Sequence, residues 1–406
     1  MTSSTSQQVT GRQVYLFALA AAIMVANIYY SQPLLAVIGR SFGVEPANAG
    51  YMVTLTQLGY GLGVLFIVPL GDGVDRRKLA SYMLAACVVT LVGTALSPTF
   101  LTFAVMQLLM GMTACATMVV IPYVASRSPE EVRGRRVGMV ITGLLLGILL
   151  ARTVSGLVAE LVGWRWMYVF AAMGVATLWF GLRRTMVSDV QTAPVHYLGL
   201  MRSIVALFRE ERAVRHRSFY CLLGMGSFSA LWTGLTLHLA SAPYHFSSAT
   251  IGLFGLVGAA GALSAGYAGR LADRGLVSLL TGGLATMLAA SWLLMAVGGH
   301  SIPLLIAGIL TLDVAAMGLQ VVHQSVLYKL TTNAQSRITS IFVTSGFVGM
   351  PIGSALSSLA FAHLGWQGVC IVGGGMPVLL LLHWLWTRIR RRETSDERSL
   401  RSVPDS

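Results

Sequence analysis

Charge is what this sequence has least of. Only 11% of its 406 residues are Asp, Glu, Lys or Arg, where a soluble domain carries roughly 25%. A larger core does not account for the deficit, because a core still needs a charged surface around it. A surface that faces lipid removes that need. Acidic residues are scarcer than basic ones, 15 against 28, which leaves a net charge of +13. Cysteine is limited to Cys87, Cys115, Cys221 and Cys370, all in apolar segments without ligand spacing. This excludes a disulfide framework and a cysteine metal centre, and leaves reduced packing residues. A nucleophile with its base, a His/Cys/acid cluster and a phosphate-cradling loop are equally missing. The sequence therefore predicts no metal, no cofactor and no enzyme; a membrane receptor would need a sensor domain, and none is appended.

What is present is long apolar runs. Mean hydropathy is +0.73, and a bilayer core needs about 20 apolar residues per helix. The runs predict twelve spans. The first six are 14–38, 49–70, 79–96, 100–124, 137–162 and 166–182. The second six are 218–240, 250–271, 277–297, 303–328, 338–363 and 369–386. The first run is too long for a signal-peptide core and is kept as a helix. The spans give an all-α membrane protein of two six-helix bundles, 1–182 and 218–388, joined by a central segment 183–217 and followed by a basic tail 389–406. Within the central segment Tyr197, Met201, Ile204 and Phe208 recur at helical spacing beside Arg202, Arg209 and Arg212. That pattern fits either a helix lying on the membrane surface or a solvated linker.

Basic residues set the orientation. Twenty-five of the 28 Lys and Arg residues fall at span ends on one side; Arg40 and Arg165 fall on the other, and Arg152 lies inside a span. By the excess of positive charge on cytoplasmic loops, both termini are cytoplasmic. The basic charge thus reports topology, and a nucleic-acid partner is not needed to explain it.

The halves repeat. Asp72 and Asp273 are 201 residues apart, as are Arg136 and Arg337, and Gly163-Trp164 recurs as Gly365-Trp366 at 202. An internal six-helix repeat is a transporter signature, with the substrate path between the halves.

Two turns carry a family resemblance. Pro69–Lys78 reads PLGDGVDRRK between spans two and three, and Gly269–Gly275 reads GRLADRG between spans eight and nine. The second closely matches the loop signature G-x-L-A-D-R-x-G of the major facilitator superfamily, and the first is a degraded copy with Val68 for the leading glycine. The chain therefore resembles that superfamily over essentially its whole length. The resemblance implies a conformational latch of Asp72, Arg76 and Arg136 in one half and Asp273, Arg274 and Arg337 in the other. Span five has Gly138, Gly147, Ala151-Arg152 and Ser155-Gly156. Their spacing is similar to the G-x8-G-x3-G-P-x2-G-G of drug–proton antiporters, with Gly-Pro replaced by Ala-Arg. Ala26–Leu35, ANIYYSQPLL, resembles a bacterial branch similar to sugar-efflux and purine-efflux facilitators.

An ionisable residue inside a span costs roughly 2.5–3.5 kcal/mol to insert and is a functional candidate by default. Arg152 and Asp313 lie near the midplane on opposite halves, and Glu160 falls at the outer end of span five. Asp313, Gln320 and Gln324 share one helical face, and His323 lies about 80° away. Asn27, Tyr30 and Gln32 add polar groups to span one, which Pro33 is placed to kink. The sequence thus predicts Asp313 and Arg152 as the proton-coupling pair, with Asn27, Tyr30, Gln32, Gln320, His323 and Gln324 lining the substrate cavity. The expected activity is proton-coupled efflux of a small organic molecule by a monomer in a bacterial inner membrane. Its partners are substrate, protons and lipid. Uptake or facilitated movement on the same fold is the alternative.

Overall fold

The computed structural model describes the backbone of residues 9–188, 197–263, 265–328 and 335–401. Within those ranges it leaves out the side chains of 46, 47, 72, 259–263, 265, 266, 273, 328, 335, 336 and 390–401. The carboxylates of Asp72 and Asp273, and the side chains of the predicted basic tail from Arg390 on, are therefore outside the described residues.

The regular structure among the described residues is all helical. The N-terminal half runs α1 (Gly11–Ala26), α2 (Leu35–Ser41), α3 (Pro46–Ala49), α4 (Tyr51–Phe66), α5 (Arg76–Ala95), α6 (Phe100–Ala114), α7 (Thr117–Ser126), α8 (Glu130–Val162) and α9 (Trp164–Thr185). After α10 (Tyr197–Glu210) the second half runs α11 (Arg212–Ala240), α12 (Ser248–Leu263), α13 (Ala265–Asp273), α14 (Val277–Val297), α15 (Ile302–Tyr328) and α16 (Gln335–Arg401). Nine helices among the described residues are long and apolar enough to cross a membrane, and two shorter apolar ones are Gly11–Ala26 and Ser248–Gly258. One of the nine, Arg337–Ile389, is two crossings, because α16 breaks at Gly365. Twelve crossings result, as the apolar runs predict.

The breaks have identifiable causes. Gly163 (φ 96°) and Gly365 (φ 58°) stand at matching turns of the two halves. Positive φ is accessible to glycine at little cost, so the repeated Gly-Trp marks a repeated reversal. The predicted first span is interrupted: α1 ends at Ala26, and a 3-10 turn at Gln32–Leu34 leads into α2. Pro33 has no N–H to donate and its ring crowds the carbonyl four residues back, so a regular helix cannot run through it. The central segment is more helical than its predicted bounds, since α9 runs on to Thr185 and α11 begins at Arg212. The amphipathic stretch is α10. Ile204 faces inward, Tyr197 Oη donates to Phe66 O at 3.0 Å, and Leu198, Val205 and Phe208 stay exposed.

Small residues set how closely the helices approach. Gly143 and Gly147 of α8 lie on the backbone of Ala18 and Ala22 in α1, and Gly349 and Gly353 of α16 on Leu222 and Gly226 in α11. A Cβ at any of the four would collide with backbone, so these crossings exist only because the residues are glycine. Gly147 belongs to the span-five spacing, and its role here is packing.

The halves meet along α8 with α12 and α4 with α16. Thr54 Oγ1 donates to Ser354 Oγ at 3.1 Å, Ser229 Oγ to Gln57 Oε1 at 3.0 Å, and Thr153 Oγ1 to Gly252 O at 2.9 Å. The Ala249 N–H reaches Glu160 Oε2 at 3.3 Å. These bonds run from the middle of the bundle toward the loops that carry few basic residues. The orientation behind this statement is testable: a reporter fused after Arg40 is expected outside and one after Arg388 inside. The same answer from both fusions would refute the two-sided charge argument.

Candidate functional site

Unwinding between α1 and α2 puts polar side chains at the centre of the bundle. Backbone groups released there are met locally, with Gln32 N–H donating to Tyr29 O at 3.2 Å and Leu34 N–H to Ser31 O at 3.1 Å. Asn27 turns its amide back to Ile23 O and Met24 O at 3.1 and 3.3 Å. Gln32 then points away from its own helix. Its Oε1 accepts from Arg152 Nε of α8 at 2.6 Å, with both side chains buried.

Arg152 is held by faces as much as by hydrogen bonds. Its guanidinium carbon lies 4.0 Å from the centroid of the Trp232 ring, 4.8 Å from that of Tyr29 and 5.9 Å from that of Phe228. A weakly hydrated planar cation between aromatic faces gains cation–π attraction, which grows once water is excluded. Trp232 and Phe228 come from α11 in the other half, so Arg152 spans the interface between bundles.

Asp313 of α15 lies beside the benzene edge of the same indole. A Cβ on Gly258 of α12 would strike Asp313 Oδ2 and approach Trp232 Cζ2 to 2.8 Å, which places carboxylate and ring edge side by side over that glycine. No ion pair joins Arg152 and Asp313, and Trp232 is the group they share. Three glycines of α12 form the floor. Gly252 lies on the Arg152 carbonyl, Gly255 lies 3.0 Å from the Arg152 Cβ, and Gly258 lies under Asp313.

Buried polar atoms concentrate here without partners. Asn27 Oδ1, Gln32 Nε2, Gln57 Nε2, Tyr60 Oη, Arg152 Nη2, Trp232 Nε1 and Asp313 Oδ1 all lack one. Residues Asn27, Gln32, Gln57, Tyr60, Arg152, Trp232 and Asp313 are each no more than 3% exposed. An unmet buried polar group costs about 1–3 kcal/mol. Those of Gln32, Arg152, Trp232 and Asp313 belong to side chains that adjoin one another between the halves.

The other predicted lining residues are placed less centrally. Tyr30 lies near Cys87 of α5, inside the first bundle, and its neighbour Tyr29 is the one at Arg152. His323 is buried ten residues beyond Asp313, about 15 Å along a helix, where its Nδ1 meets Arg217 Nη1 at 2.8 Å and its ring lies over Tyr220. It does not join the central site. Gln320 and Gln324 are half-buried on the same helix. Of the latch residues, Arg76 Nε donates to Gly71 O at 3.2 Å, Arg274 is exposed, and Arg136 and Arg337 are half-buried. Asp75, which sequence reasoning passed over, caps α5 by accepting from Arg77 N–H and also accepts from Ser188 Oγ at 2.6 Å.

Sequence reasoning also missed Tyr29, Gln57, Tyr60, Phe228 and Trp232. A signal existed for the last two, because Gly224, Gly226, Ser227, Ser229 and Gly234 make α11 rich in small residues, as helix interfaces in membranes are. Among the described residues no group of His, Cys, Asp and Glu is arranged to hold a metal.

Known proteins of this architecture are numerous. The Major Facilitator Superfamily profile matches residues 17–274 and 217–405. The uncharacterized transporter YgaY of Escherichia coli O157:H7 is 37% identical over 94% of this chain and 97% of its own length. The inner membrane transport protein YnfM of Escherichia coli K12 is 27% identical over 90% of this chain and 88% of its own. Among solved structures, a POT family transporter bound to a thioalcohol-conjugated peptide superposes with a TM-score of 0.74 at 14% identity, covering 93% of this chain and 96% of that one. The human organic anion transporter MFSD10 gives 0.68 at 17%, covering 91% and 98%. The profile match, the repeat and the helical architecture agree, and the chain belongs to the Major Facilitator Superfamily, multi-pass membrane transporters of small molecules rather than enzymes.

Proposed function

We propose that this chain moves a small organic molecule by alternating access, coupled to protons through Asp313, with the molecule bound between the halves at Arg152. One observation carries the reading: an arginine and an aspartate from opposite halves meet at Trp232, and Gln32, Arg152 and Asp313 each keep a buried polar atom without a partner there. A transporter must present such groups to a guest and then re-cover them, so buried polar groups between the halves are expected of a carrier. The hydrogen bonds of Thr54, Gln57, Thr153 and Glu160 to the second half supply the closed outer side. The span-five spacing similar to drug–proton antiporters points to efflux, and uptake on the same fold is the alternative that the direction of transport decides. Everted vesicles with an acidic lumen test it. Proton-dependent loss of accumulation upon removing the gradient is expected for an exporter, whereas accumulation only in right-side-out vesicles would make the chain an importer.

The latch is part of the same proposal. Asp273 closes α13 directly before the turn at Gly275 (φ 86°), and its family counterpart Asp72 closes the 3-10 helix after α4. A carboxylate at a helix C-terminus is disfavoured by the dipole and needs a donor elsewhere. Asp273→Asn is expected to slow turnover about tenfold or more while apparent substrate affinity stays within a few-fold. Unchanged turnover in correctly inserted protein would count against the latch.

A further inference from the structure

We propose that the central site takes a small organic anion with an apolar or aromatic body, and that each anion crosses together with one proton. This rests on the reading of the central site as the transport site.

The unpartnered groups are unequal in kind. Gln32 Nε2, Gln57 Nε2 and Arg152 Nη2 are donors without acceptors, Tyr60 Oη can donate, Trp232 is turned to Asp313, and Asn27 Oδ1 and Asp313 Oδ1 are acceptors. A guest that satisfies this set brings several acceptor oxygens to one place, as a carboxylate or sulfonate does. Arg152 supplies the charge. Its Nε is committed to Gln32, which leaves Nη2 free to meet the guest. The rings of Tyr29, Phe228 and Trp232 around the guanidinium offer the apolar contact for the rest of the molecule.

Charge balance then fixes the proton. Empty, the site holds Arg152 positive and Asp313 negative, and the sum is zero. An anion alone makes it negative; a proton on Asp313 alone makes it positive. An anion at Arg152 and a proton on the Asp313 carboxylate together return it to zero. An uncompensated charge inside the bilayer is costly, so the empty carrier and the carrier loaded with both are the two forms able to rearrange. The charged or titratable groups facing Asp313 are Arg152 of α8 and Tyr29 of the unwound stretch, while α12 presents Gly258 and α11 presents Trp232. The carboxylate is thus set to take the proton when an anion occupies Arg152. Anion and proton then move in the same direction, which under an inward proton gradient is uptake, opposite to the direction the span-five spacing suggests.

Full-length protein in liposomes provides the test, with benzenesulfonate as probe because it stays ionised and does not permeate as an acid. Benzamide and benzylammonium serve as neutral and cationic counterparts. Binding read by tryptophan fluorescence is expected to favour benzenesulfonate at least tenfold over both. Arg152→Gln should abolish that preference and Arg152→Lys should keep it at weaker affinity, which guards against a misfolded glutamine variant. Asp313→Asn, which imitates the protonated carboxyl, should bind benzenesulfonate several-fold more tightly and carry no proton with it. Entry of benzenesulfonate should alkalinise the medium by about one proton per anion. Equal or better binding of benzamide or benzylammonium, or no binding of benzenesulfonate, overturns the anion site. Entry with no proton, or with acidification, overturns co-transport. Selective binding without entry refutes the transport reading and leaves the anion site standing.

Discussion

Thermal unfolding of Arg152→Gln, Asp313→Asn and the double variant is expected to give a favourable coupling energy on the order of 1 kcal/mol or more, because two opposite buried charges both adjoin Trp232 and attract at an effective dielectric near 20. Each single change also removes the desolvation cost of its own charge, and that contribution cancels in the cycle. The singles are not expected to be equal. Asp313→Asn loses the field of one charge. Arg152→Gln in addition leaves Gln32 Oε1 without its donor and Trp232 and Tyr29 without their cation. A hydrogen bond to a charged group is worth about 1.5–3 kcal/mol and a desolvated cation–π contact about 2. Arg152→Gln should therefore be the more destabilising by about 2 kcal/mol or more, and adding Asp313→Asn should recover only part of the loss. Proton-driven transport should be lost in all three. Full recovery of stability in the double variant would mean that the ion pair alone holds Arg152, and that the aromatic faces and Gln32 contribute nothing. Zero coupling would mean that the two charges do not sense one another across Trp232.

How far the sequence reaches can be judged from these same residues. Arg152 and Asp313 were legible because a charge inside an apolar run has no bland explanation, and hydropathy alone exposes it. The turns at Gly163 and Gly365 were legible because the same dipeptide recurs at one offset in both halves. Tyr29 was not. It and Tyr30 are neighbours, and in a regular helix phase would decide which of them faces the centre. The helix ends at Ala26 and resumes at Leu35, so helical phase does not say which of the two lies against Arg152. Trp232 and Phe228 were hidden differently. Nearly all of α11 from Tyr220 to Leu239 is buried, so hydrophobic periodicity has no exposed side against which to register. The glutamines of α15 gave a true stripe, yet a stripe marks a face and not a depth, and His323 on its flank serves Arg217 instead. Glycine number hid the glycines that matter. With 44 in the chain, the three beneath Arg152 and Asp313 look like any others until the neighbouring helices are in place.

Gly258→Ala is expected to reduce transport at least tenfold while the protein still inserts and folds. The added methyl would occupy the space now held by Asp313 Oδ2 and would come within 2.8 Å of Trp232 Cζ2. Neither can be ignored, since real Cβ contacts do not reach that distance. The cheaper response is for the carboxylate to swing away and the indole to tilt, because both are side-chain movements; separating α12 from α11 and α15 would disturb many contacts at once. The expected cost to stability is accordingly about 1–3 kcal/mol, and the larger consequence falls on the geometry between Asp313 and Arg152. A tilted indole withdraws its face from the guanidinium, and a displaced carboxylate changes the field that Arg152 presents to a guest. Gly283→Ala is the matching control. Nothing lies within 4 Å of a Cβ there, and alanine favours a helix over glycine by about 1 kcal/mol, so transport should be unchanged and stability equal or slightly higher. Gly255→Ala should fall between them, because its Cβ would press at 3.0 Å on the Arg152 Cβ, which has little room to yield. The order Gly258, Gly255, Gly283 in severity follows from what each methyl would meet. If Gly258→Ala transports as well as Gly283→Ala in protein of equal abundance, the placement of Asp313 against Trp232 has no part in transport.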